Sequence, residues 1–347
     1  MITGLIIPPE TNIPPLIPHF LPRLTLILKQ YTQDPAAIVS LTIKLLGPVS
    51  FTQVLQLASP SDLIQALQSP APAANLLVLA ILHKAAASPE DITTLCSATL
   101  LVSTFIHRWL TAPQVEVGQK AGKVLGDLLD IDCELPPPPP PTRPVDPLHT
   151  PLVLRKAPGQ GRLWRLLFTD LPTYTLITDL VSGRHLDTAN DPRQLSLAQG
   201  RLLRILPRLA AIDFRAVSHS QITPPTPIHF TNGTGGVDNA EQGRPRLGEG
   251  LLQYAALRMV QKTDVLMHLS LVDFFETLVS LLRVTEASPL KRETLRAVLG
   301  EATAGDDILR EALLGLPDRT VEEEAEDLRR WLGEVMPGEE GVRLALR

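Results

Sequence analysis

Eight histidines, at positions 19, 83, 107, 149, 185, 219, 229 and 268, are the side chains best suited to hold a metal or move a proton. No two stand at i,i+4 and no HExxH occurs, so a helix-borne zinc site lacks its ligand spacing. Cys96 and Cys133 are the two cysteines; without a CxxC or a Cys/His cluster, they read as ordinary thiols of a reducing compartment. Gly118 to Lys123 reads GxxxGK, one residue short of the phosphate-binding loop, and Val124 stands where that loop needs Ser or Thr. No GxSxG elbow, dinucleotide GxGxxG or kinase set is present, and the sequon Asn232-Gly233-Thr234 would matter only in a secreted chain. The motifs point to a binding protein with no catalytic residues, no metal and no cofactor.

The elements that would carry such a binding surface are helical. Of 347 residues 62 are Leu and only 14 are Phe, Trp or Tyr, a mixture that suits stacked helices better than sheets. A single core stops growing near about 250 to 300 residues, so the chain must divide or elongate. The net charge of −5 lacks the basic footprint of a nucleic-acid binder, and it is concentrated at one end. From Glu301 to Arg347 there are 13 acids against 6 arginines. Pro8, Pro9, Pro14, Pro15 and Pro18 break the first apolar stretch, and His268, Asp273 and Glu276 interrupt the stretch from Val265 to Leu282. The expectation is a soluble monomer, cytoplasmic and also nuclear, with no membrane partner.

Helix punctuation recurs along the first third. Ser59-Pro60-Ser61-Asp62 and Ser88-Pro89-Glu90-Asp91 each place Ser at the N-cap, Pro at the first helical position and a carboxylate near the positive helix end. Pro35, Pro72 and Pro113 open a second set of starts, 37 and 41 residues apart. Aligned on them, Val39, Leu76 and Val117 share one offset and Ile43, Ala80 and Ala121 another. A period near 40 with two helices per unit is the HEAT or armadillo pattern, in which each pair buries its apolar face on the next. The pairs read as 20–47, 51–69, 72–111 and 113–131. Gly118, Gly122 and Gly126 edge the last helix, at about 1 kcal/mol each against Ala, which predicts close approach by a neighbouring helix.

Residues 1–135 thus form N-terminal helical repeats, followed by a proline-rich connector over 136–151 that begins with six consecutive prolines. Within it Pro138, Pro141 and Arg143 match the PxxPxR ligand pattern of SH3 domains. Residues 152–315 read as further helical repeats with an irregular insertion at 221–248, and 316–347 as an acidic tail. Helices are expected over 195–211, kinked or ended at Pro207, and over 251–262 and 265–284.

The run Trp109-Leu-Thr-Ala-Pro113-Gln-Val-Glu-Val-Gly118-Gln-Lys120-Ala-Gly122-Lys-Val-Leu-Gly126-Asp127-Leu-Leu-Asp130-Ile-Asp132-Cys133 resembles a block in HEAT-repeat assembly chaperones of the 26S proteasome regulatory particle, the non-ATPase regulatory subunit five class. The stretch from Ala58 to Lys84 is similar to the same family, a fungal branch of which carries a DNA mismatch repair name. The resemblance is clearest over about residues 50–135. It implies an all-α fold, a right-handed solenoid whose concave face holds the C-terminal domain of a proteasomal ATPase subunit while the base assembles. A general HEAT or armadillo adaptor for another helical or acidic partner is the alternative. No partner-binding residue transfers by motif. From the polar stripes themselves, Lys120, Lys123 and Asp127 are candidates to line the binding face, with Arg204 and Arg208 in the second half.

Overall fold

The computed structural model describes residues 36–134, 158–220, 222 and 248–336. The start of the first helix pair, the hexaproline with its PxxPxR match, the sequon, most of the 221–248 insertion and residues 337–347 lie outside the described residues. All regular structure among the described residues is helical, apart from an isolated antiparallel bridge between His219 and Glu249. The chain divides between Asp132 and Cys133 into two compact units.

The first unit holds α1 (Ala36–Leu45), α2 (Phe51–Leu57), α3 (Pro60–Gln68), α4 (Pro72–Lys84), α5 (Pro89–Ser97), α6 (Thr99–Thr111) and α7 (Val115–Asp132). The starts are built as the sequence predicts. Ser59 and Asp62 close a reciprocal capping box, and Ser88 Oγ accepts from the Asp91 N–H at 3.1 Å. At the third predicted start α7 begins at Val115, two residues after Pro113.

Packing follows a rule of three: α1 lies on α4 and α4 on α7, while α2 lies on α5 and α3 on α6. Helices adjacent in the chain also pack, α3 on α4 and α6 on α7. Helices α2 and α3 are only 7 and 9 residues long. The register differs by one residue. The proline alignment matched Leu76 to Val39 and Val117 and Ala80 to Ile43 and Ala121, yet α4 buries Asn75, Val78, Leu79 and Leu82 and leaves Leu76 and Ala80 half-buried. Gly122 meets the indole of Trp109 on α6: a Cβ added there would stand 3.3 Å from Trp109 Nε1, so the close neighbour is a side chain.

The second unit holds α8 (Arg162–Phe168), α9 (Leu171–Ser182), α10 (Leu186–Ala189), α11 (Pro192–Ile212), α12 (Phe214–Ser218), α13 (Leu251–Leu257), α14 (Val265–Arg283), α15 (Pro289–Thr303), α16 (Asp307–Leu314) and α17 (Glu322–Val335). Its centre is α11 against α14. Helix α11 runs through Pro207, which is buried, and ends five residues later rather than at the proline. Helix α14 is long and apolar enough to cross a membrane by length and composition, yet Leu271, Phe274, Phe275, Leu278 and Leu282 are spent on the core. The stems of the insertion are pinned at Gly250, where a Cβ would fall 2.2 Å from the Val217 carbonyl, so only glycine fits.

Residues 316–336 of the acidic segment also contribute to this unit. Helix α17 buries Ala325, Leu328, Trp331, Leu332 and Val335 against α15 and α14. The apolar stripe has helical spacing, and Glu322, Glu323 and Glu324 occupy the first turn, where the helix dipole favours anions. The charge count hid an amphipathic helix.

Candidate functional site

The candidate residues of the first unit sit on α7, which exposes one stripe because its other face is buried. Val117, Ala121, Val124, Leu125, Leu128 and Leu129 fill the core side. Lys120, Lys123 and Asp127 share the opposite face at spacings of three and four residues. Lys123 is exposed and Lys120 half-buried, and neither makes a hydrogen bond or ion pair with a described residue.

Asp127 is not a free surface acid. Its Oδ2 lies 2.9 Å from His83 Nε2 at the end of α4, so it ties α7 to the helix beneath. The next residue, Lys84, reaches from α4 toward α1 and donates to the Gly47 carbonyl at 3.0 Å; burial holds its ammonium below the ordinary 10.5. Along the row α1, α4, α7 the polar edge therefore runs Gly47, Lys84, His83, Asp127, and then the two uncommitted lysines. His83 and Lys84 also complement the negative end of α4. The His83 contact spans 44 residues, so no local pattern announced it.

Arg204 and Arg208 belong to α11 of the second unit. Arg204 is exposed and Arg208 half-buried, on the face opposite Leu202, Leu203, Ile205, Leu206 and Leu209. They belong to the second unit, and the α7 stripe to the first.

The strongest polar constructions lie elsewhere and cap helix ends. Asn75 donates to the carbonyls of Ala66, Leu67 and Ser69 at the end of α3. Gln199 of α11 donates to Val181 at the end of α9 and Met259 beyond α13, at 3.0 and 2.9 Å. Lys262 reaches the Ala302 carbonyl of α15. Two buried phenols complete the inventory. Burial pushes Tyr174 up to about 12, and it pushes Tyr254 up to about 12 against the opposing charge of Arg184. Both stay protonated near neutral pH and cannot act there as bases. These groups satisfy backbone atoms and fix helices against one another; the residues left to meet a partner are the charged stripes.

Compared with known proteins, the chain matches no family model, no curated protein and no solved structure.

Proposed function

We propose that the chain is a non-enzymatic helical-repeat chaperone that holds the C-terminal domain of a proteasomal regulatory-particle ATPase subunit during assembly of the 26S base, acting as a monomer in the cytoplasm and nucleus. The observation that carries the reading is the stacking of α1 on α4 on α7, with α2 on α5 and α3 on α6. Such stacking is how a HEAT or armadillo array extends its core along one axis, and it supports the right-handed solenoid that the resemblance implies. The reading assigns binding to the stripe on α7, where Lys120 and Lys123 present charge that no described residue neutralises.

Steric occupation of the ATPase domain would delay its docking until neighbouring subunits are in place, which needs a broad face and no chemistry. Purifying the tagged full chain and identifying its companions by mass spectrometry tests the reading directly. Recovery of a proteasomal ATPase subunit is expected; its absence beside a different stoichiometric partner would favour a general adaptor, which the same stacking also supports.

The stripe can be tested by reversing its sign. Lys120→Glu together with Lys123→Glu should weaken capture of the ATPase domain about tenfold, because rim charges steer and orient a partner without holding the fold. Far-ultraviolet circular dichroism should be unchanged, since neither side chain has a structural partner. Equal affinity in titration calorimetry would move the binding face off α7.

A further inference from the structure

Lys291 is a charged side chain only 3% exposed, and it is surrounded by oxygen atoms. Its backbone belongs to the first turn of α15, where its N–H donates to Ser288 Oγ at 3.2 Å. Its side chain turns back to the end of α14. There Nζ lies 3.1 Å from the Leu282 carbonyl, 3.0 Å from the Thr285 carbonyl, 2.8 Å from Thr285 Oγ1 and 2.5 Å from the Glu286 carbonyl. The indole of Trp331 from α17 stands 5.6 Å away, and its own Nε1 donates to the Val279 carbonyl of α14 at 3.2 Å. Three helices therefore meet around one ammonium group.

The arrangement is that of a cation ligand set. The Leu282 carbonyl at the end of α14 and the Thr285 and Glu286 carbonyls of the turn that follows converge with a hydroxyl on one point, and carbonyl oxygens carry partial negative charge. Thr285 Oγ1 spends its hydrogen on the Leu282 carbonyl at 2.9 Å, so it offers only lone pairs to the centre. Four acceptors face a group with three hydrogens, and an aromatic face adds attraction that needs no hydrogen at all. Neutral oxygens in such a set replace the hydration shell of a large monovalent cation, and the Glu286 carboxylate favours the charge without a hydrogen bond to Nζ.

We infer that the four oxygens of Leu282, Thr285 and Glu286 form a monovalent-cation site whose native occupant is the tethered ammonium of Lys291, and which accepts a free potassium ion or a primary alkylammonium once that side chain is removed. The bound charge holds the Leu282–Glu286 turn closed and fastens the start of α15 and Trp331 of α17 to it.

The test is chemical rescue in the full chain. Lys291→Ala is heated in chloride salts of sodium, potassium, butylammonium and tetramethylammonium at one ionic strength. Its Tm should fall by several degrees in sodium and recover by at least half in butylammonium, with a smaller recovery in potassium. Tetramethylammonium, which is bulky and has no N–H, should do nothing, and the wild-type Tm should not distinguish the salts. A variant Tm that is the same in all four salts, or a Lys291→Met chain as stable as the wild type, would overturn the site. Should Lys291→Ala fail to fold, the wild type still decides: a slowly exchanging 15Nζ–H correlation that vanishes in Lys291→Arg is expected, and no protected lysine ammonium would refute it.

Discussion

Replacing Asn75 by Leu should destabilise the first unit by about 4 kcal/mol, although the side chain is apolar and similar in size. Asn75 is 0% exposed, and its amide nitrogen is the donor for the carbonyls of Ala66, Leu67 and Ser69 at 2.8, 3.1 and 3.1 Å. Its Oδ1 accepts from Arg108 Nε at 2.8 Å, and Arg108 Nη2 in turn donates to the Ser69 carbonyl at 2.7 Å. Leucine would take the amide donor from the Ala66 and Leu67 carbonyls at the end of α3 and the acceptor from Arg108 Nε, and would leave Ser69 only its bond from Arg108 Nη2. Each stranded polar group costs about 1 to 3 kcal/mol, and burying a leucine in place of the amide recovers only part of the sum.

Hydrogen exchange read at α3 and α4 provides the measurement, because it reports one unit without requiring the whole chain to unfold in one step. Amides there should lose protection by about a thousandfold, the equivalent of 4 kcal/mol. Arg108→Met should cost less, since Asn75 still satisfies all three carbonyls after it. Burial holds Arg108 below its ordinary 12.5, so its charge is the expensive member of the pair. Protection unchanged in Asn75→Leu would mean that water reaches the end of α3.

The contrast between the two ends of these helices explains what a reader of the sequence could see. Helix starts are satisfied from within three residues: Ser50, Ser59, Ser88, Asp170, Asp191, Asp213, Asp264, Ser288 and Asp306 each accept from an N–H just downstream. That chemistry is written locally, and the starts at Pro60 and Pro89 follow from it. Several helix ends also draw a side chain from far along the chain. Arg108 reaches Ser69 across 39 residues, Gln199 reaches Met259 across 60 and Lys262 reaches Ala302 across 40. An isolated Asn within Ala73 to Leu82, or an isolated Lys after Ser288-Pro289, looks like a surface residue until the fold brings the carbonyls to it. The all-α class was legible because it rests on stripes and caps, whereas the contacts between helices three apart, the ordered acidic helix and the His83 link to Asp127 were not, because they depend on which stripe meets which.

The candidate surface divides along the same line. Lys120 and Lys123 could be chosen from α7 alone, since a stripe opposite a buried face must be polar. Asp127 shares that stripe but is held by His83, which makes it a structural tie as well as a surface group.

Asp306→Ala should destabilise the second unit by about 2 kcal/mol, combining a lost N-cap with the loss of the carboxylate's bonds to Lys262 and His268. The carboxylate is 5% exposed. Its Oδ1 accepts from the Leu309 N–H at 3.0 Å, capping α16, and Oδ2 lies 2.8 Å from Lys262 Nζ and 3.0 Å from His268 Nε2. Burial alone would raise its pKa; the hydrogen bonds from Lys262, the Leu309 N–H and His268 together outweigh that and hold it below 3.8. Because the folded value is depressed, the unfolded chain takes up the proton first as the pH falls. The stabilisation is complete above 3.8 and is lost as the pH drops through the folded value. Asp306→Asn separates the two roles, since asparagine caps as well as aspartate but carries no charge. It should keep α16 formed, cost less than Asp306→Ala, and flatten the acid limb of stability below pH 3.8. Urea midpoints measured from neutral pH downward check both results. An asparagine variant whose acid limb matches the wild type would show that Lys262 and His268 hold the carboxylate in place without lowering the energy of its charge.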